Sequence, residues 1–132
     1  MPNRLVTAAC MSAALFALPS CTASNSGSKS DDVSVTRSVG YVCNDGQQIR
    51  ATYLEYRGGL ATFVVLEWNG NEYGLARAIS ASGARYASLY GPTTGDYGLE
   101  WWEGHGEARL GTFTGKDFSE VRPLLAACKP QP

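Results

Sequence analysis

One histidine, three closely spaced glutamates and a scatter of serines are the side chains that could do acid–base or nucleophilic chemistry in this chain. His105 stands between Gly104 and Gly106 in a stretch that reads as a turn, where a solvated histidine is commoner than a general base. Glu100, Glu103 and Glu107 could mimic the carboxylate pair of a glycoside hydrolase, but clustered around one hairpin they read as a solvated rim. No serine lies in a nucleophile elbow. No Gly-rich loop leads into a helix to cradle a phosphate. With a single His and no Cys-x-x-Cys, the sequence offers no metal-ligand set. These side chains point to a binding protein that needs no cofactor, not to an enzyme.

The four cysteines sort by position. Cys10 falls in Leu5 to Leu18, an uncharged apolar run behind a short start with one positive charge, Arg4. That run suits the h-region of a signal peptide and is too short to cross a bilayer of roughly 30 Å as a helix. Leu18-Pro19-Ser20-Cys21 resembles a lipobox, in which residues 1–20 are removed and Cys21 carries lipid; Pro19 is its unusual member. Cleavage after Ala23, giving a soluble periplasmic form, is the rival. The polar, Gly/Ser-rich stretch that follows favours the lipoprotein, because residues 21–38 read as a tether between membrane and domain. Cys43 and Cys128 remain, an even pair in an oxidising compartment. Bridging them closes a loop of about 85 residues, worth roughly 4–5 kcal/mol in the chain-entropy model.

Charge excludes one class of partner. The chain has 11 basic and 12 acidic residues, and loss of Arg4 with the leader would leave a surface close to neutral. Such a surface offers no electrostatic footprint for nucleic acid.

The elements that must position these residues are strands. Val39 to Cys43 is apolar and β-branched, and Asn44-Asp45-Gly46 is a hairpin signal. Ile49, Ala51 and Tyr53 alternate with Arg50, Thr52 and Leu54; Leu60 to Trp68 is the most β-prone run, closed by Asn69-Gly70. Strands follow at Tyr73 to Ile79, Ala84 to Tyr90, Tyr97 to Trp102 and Ala108 to Phe113. Phe118 to Cys128 contains Pro123 and reads either as a strand or as a short helical turn over a barrel mouth. Short strands with regular turns predict an all-β antiparallel meander over 39–129, closed into a small barrel that leaves no exposed edge. Side chains fill a barrel of this size, so function is expected on its loops.

Three segments resemble the MliC/PliC family, membrane-bound and periplasmic inhibitors of C-type lysozyme. Tyr41-Val42-Cys43-Asn44-Asp45-Gly46, with Ile49, is similar to its opening motif, and Ser80-Ala81-Ser82-Gly83-Ala84-Arg85-Tyr86 to its central loop. Trp101-Trp102 with Glu107-Ala108-Arg109-Leu110 resembles the third motif, and Cys128 falls where the closing cysteine belongs. The resemblance implies an eight-stranded antiparallel barrel with Cys43 bonded to Cys128, and a C-type lysozyme as partner. It also implies an envelope lipoprotein of a Gram-negative-type bacterium, in the outer membrane facing the periplasm.

In that family a serine-bearing loop enters the enzyme cleft, and a lysine on a neighbouring loop pairs with the cleft carboxylates. The resemblance places the serine at Ser82 and the tight turn at Gly83, with Arg85, Tyr86 and His105 as further contact residues. The chain departs at the lysine: an ungapped match puts Gly104 there, and a slip of one residue makes His105 its stand-in. Histidine is only partly charged near neutral pH, and Arg85 is the second candidate cation. A barrel that has lost inhibition with the lysine, and serves as an envelope scaffold, is the alternative reading.

Overall fold

The computed structural model describes residues 32–92, 97–114 and 119–132. The expected leader at 1–20, the lipidated Cys21 and most of the tether lie outside the described residues. Eight strands follow in chain order: β1 (Val33–Val42), β2 (Gln48–Tyr56), β3 (Ala61–Trp68), β4 (Asn71–Ala78), β5 (Ala84–Ser88), β6 (Leu99–Gly104), β7 (Glu107–Phe113) and β8 (Val121–Pro130). Each pairs antiparallel with its neighbour in sequence, and β8 pairs back to β1, closing the barrel β1-β2-β3-β4-β5-β6-β7-β8. The expected all-β antiparallel barrel with a Cys43–Cys128 disulfide is the observed fold.

Alternation fixes the inner face. Ile49, Ala51 and Tyr53 of β2 point inward, as do Val64 and Leu66 of β3, Leu75 of β4 and Leu99 and Trp101 of β6. Leu110 and Leu125 complete the packing from β7 and β8, so the interior is a solid core. Burying each such Leu or Val contributes about 1.5–3 kcal/mol.

Most strands lie within two residues of their expected bounds, and two depart further. β1 starts at Val33, inside the stretch read as tether, and pairs from Val33↔Tyr56 onward. The Val33-Ser34-Val35-Thr36 sequence favours a strand, yet both of its faces are exposed. Its inward-facing residues therefore carry no apolar signal. The register shifts between Val35 and Arg37, leaving Thr36 as a bulge whose hydroxyl donates to the Tyr53 carbonyl at 3.3 Å. That extra residue reverses the phase of the strand and brings Arg37 opposite Tyr53.

β8 occupies the stretch left between strand and helical turn. Pro123 stands opposite Gly111 beside a register shift, where a missing N–H does not break a regular ladder. A second shift lies between Leu125 and Cys128, with Ala127 at φ 47°. These bulges keep both Leu125 and Cys128 buried.

Candidate functional site

The β4–β5 and β6–β7 hairpins open at the same end of the barrel and meet over Trp102. β6 alternates, so Trp101 is buried in the core while Trp102 lies half-buried on the outer surface. Its indole N–H donates to the Ser82 carbonyl oxygen at 3.0 Å. The Ser80 hydroxyl donates to that same oxygen at 2.5 Å, so the loop backbone is held from both sides. Gly83 has φ +69°, and a Cβ there would collide with the Glu103 carbonyl oxygen and press on the Trp102 ring. Glycine meets both demands, positive φ and close approach. The Ser82 side chain stays exposed, and its hydroxyl has no hydrogen-bond partner among the described residues.

The β6–β7 turn is equally constrained. His105 at φ 53° and Gly106 at φ 81° form the two-residue hairpin with positive φ at both positions, the I′ geometry that matches strand twist. Histidine is an uncommon occupant of that first position. Its exposed ring stands 6.3 Å from the Trp102 ring, centre to centre. A Cβ on Gly104 would enter the Trp102 ring, so that position is bare because the indole lies across it. On β7, Arg109 is the cross-strand partner of Trp102 and holds its guanidinium 4.5 Å from the ring centre. Trp102 therefore gathers Ser82, His105 and Arg109 around one indole.

Arg85 and Tyr86 lie on β5, each with partners in the barrel wall. Arg85 Nε bonds Glu100 Oε2 at 2.5 Å, and its Nη1 donates to the Ile79 carbonyl at 3.3 Å. Its charge is thus committed to a largely buried carboxylate, and the side chain braces the base of the Ser82 loop. Tyr86 is only 4% exposed, with its ring edge-on to Tyr53 and its hydroxyl reached by Arg77 Nη1 at 3.3 Å. An inward position on β5 places it in the core.

Beneath Trp102 the barrel end holds a polar cluster with no local signal in the sequence. Glu103 turns inward and accepts hydrogen bonds from Tyr41 Oη at 2.5 Å, from Tyr53 Oη and from Arg37 at 3.1 Å. Trp101 Nε1 donates to Tyr53 Oη at 3.1 Å, and Arg37 stacks over the Tyr53 ring at 3.8 Å. Burial, then the bond to the Glu103 carboxylate, pushes the Tyr41 phenol up to about 12. The same two causes push Tyr53 up as well. Both phenols therefore remain protonated donors, as a carboxylate with several donors requires. Of the three glutamates read as a rim, Glu107 alone is exposed. Glu100 is buried against Arg85, and Glu103 anchors the hairpin from inside.

Among the described residues no group of three His, Cys, Asp or Glu could hold a metal ion. The family described as membrane-bound lysozyme-inhibitor of c-type lysozyme, MliC, matches residues 41–119. No curated protein matches the chain. The matched stretch runs from Tyr41 past the Ser82 loop and the Trp102 hairpin, so by fold, by these motifs and by this match the chain belongs to the MliC family.

Proposed function

We propose that the protein inhibits C-type lysozyme by inserting the Ser82 loop into the enzyme's active-site cleft. The observation that carries this reading is an exposed hydroxyl, unpartnered among the described residues, on a backbone held by Trp102, Ser80 and the Gly83 turn. A C-type lysozyme cleft keeps one carboxyl protonated as acid and the other ionised. A serine hydroxyl suits both, donating to the ionised oxygen and accepting from the acid. Because the loop is already ordered, little conformational entropy is lost on docking. His105 joins the contact from the neighbouring turn, and Arg85 serves as the brace behind the loop. Peptidoglycan is then excluded from the cleft by the barrel itself.

Cys21, lipidated after removal of residues 1–20, would hold the domain in the cell envelope, at the outer membrane facing the periplasm. The family's description as membrane-bound supports an envelope location.

Turbidity gives the test. A lysozyme-sensitive cell suspension is treated with a C-type lysozyme with and without the purified protein, folding being checked by circular dichroism. Clearing should slow at micromolar protein. Undiminished clearing in the presence of folded protein would reject inhibition and leave the scaffold reading.

A further inference from the structure

We infer that Arg109 is the carboxylate-binding cation of the Ser82 surface, an inference that rests on the inhibitor reading above. Arg37, Arg50, Arg57 and Arg85 each lie within ion-pair distance of an acid. Arg77 is spent on the Tyr86 ring and hydroxyl. Arg109 has no acidic partner among the described residues; what holds it is the Trp102 ring.

That mode of holding matters chemically. A guanidinium stacked on an aromatic face keeps its N–H donors in its own plane, free for a planar partner. Carboxylates take such a fork in a bidentate, charge-assisted pair. Stacking also fixes the long side chain before the partner arrives, lowering the ordering cost.

The neighbouring charges do not quench it. Glu100, diagonal to Arg109 across the β6–β7 ladder, is occupied by Arg85 at 2.5 Å. Glu107 lies two positions back on the same outer face of β7, exposed and beyond ion-pair distance. The same indole that positions Arg109 donates to the Ser82 carbonyl, so hydroxyl loop and cation share one support. Gly104 supplies no charge, and the His105 ring lies farther from Trp102 than does Arg109. The ligand this arrangement fits is an acidic group flanking or lining an enzyme cleft.

Inhibition constants against a C-type lysozyme, measured for the intact protein and for R109M and R109K, test the assignment. R109M should weaken inhibition about tenfold or more, the loss of one charge-assisted bond, while R109K keeps most of it. Added salt should weaken the parent protein more steeply than R109M, because one exposed charge pair has gone. Thermal melting of each variant separates a lost contact from a lost fold. R109M inhibiting like the parent, or R109K and R109M failing equally, would overturn the role of Arg109 while the parent's inhibition still stands. A folded parent that inhibits nothing rejects both the inhibitor reading and this inference.

Discussion

The Trp102 indole N–H and the Ser82 carbonyl oxygen are joined by a 3.0 Å hydrogen bond between β6 and the β4–β5 loop. That bond crosses between hairpins, so the exposed loop takes its shape from a residue twenty positions later in the chain. Trp102→Phe keeps a ring over Gly83 and Gly104 and under Arg109 but removes the donor. The loss expected is about 1 kcal/mol of binding, seen as a several-fold weaker inhibition constant with nearly unchanged melting. Trp102→Ala, which also releases Arg109, should lose more. Equal inhibition by Trp102→Phe and the parent would show that Ser80 and Gly83 fix the loop unaided.

Ser82 has one atom to offer a partner, its exposed Oγ. Ser82→Ala should leave stability untouched, since that oxygen bonds nothing among the described residues. Inhibition should weaken by about 1–3 kcal/mol, the cost of stranding buried charged partners. An unchanged inhibition constant would remove Ser82 from the interface.

Gly83 tests whether loop shape or loop chemistry governs binding. Gly83→Ala sets a Cβ against the Glu103 carbonyl oxygen at a backbone φ that side-chain-bearing residues resist. Strain of about 1–3 kcal/mol is expected, relieved by the loop lifting off Trp102. Indole fluorescence should shift toward that of a more solvated ring, and inhibition should fall although Ser82 is intact. A variant that inhibits normally would mean the loop reshapes on the enzyme.

The tyrosines around Glu103 make the barrel sensitive to alkali. Tyr41 is pushed up to about 12, by burial first and by its bond to Glu103 second, and Tyr53 is pushed up for the same reasons. An unfolded tyrosine ionises near 10. The stabilisation is therefore complete below about pH 10 and is lost as the pH climbs through the folded value. Melting temperature should hold between about pH 7 and pH 9 and fall between about pH 10 and pH 12. Tyr41→Phe should melt lower at neutral pH and show a shallower alkaline fall. The same alkaline slope in both proteins would assign the effect to other groups.

Most of the barrel is readable in the chain because its signals are local. Asn69-Gly70 closes a hairpin, Ile49-Ala51-Tyr53 alternate, and Ser82-Gly83 marks a loop. What stays hidden depends on partners distant in sequence. The Val33–Ser38 part of β1 buries neither face, so its pattern resembles a polar tether until β2 is alongside. Pro123 argues against a strand unless the bulges of β8 are known. Glu103 looks like a rim residue beside Glu100 and Glu107, yet its bonding partners lie 50 to 66 positions away. Tyr86 carries motif and core signals together, and the inward phase of β5 decides for the core. Trp102 sets the geometry of the site, yet in sequence it is one of two adjacent tryptophans; only strand phase distinguishes the inner from the outer.

The disulfide acts where the barrel is weakest. β8 returns to β1 through only two residue pairs in register, Tyr41↔Pro130 and Val42↔Lys129. Cys43 and Cys128 stand immediately beside that seam, buried and bonded across a sequence separation of 85. The chain-entropy model values a loop of that size at roughly 4–5 kcal/mol, much of the stability available to a domain this small. A Cys43→Ser/Cys128→Ser protein, or the parent in reductant, should therefore melt about 15 °C or more lower. Amide exchange should quicken first along Tyr41, Val42 and Lys129, because opening the seam frees those groups before the β2–β3 ladder. Uniform exchange across all strands, or an unchanged melting temperature, would mean that the inner packing of Trp101, Leu110 and Leu125 closes the barrel without the bond.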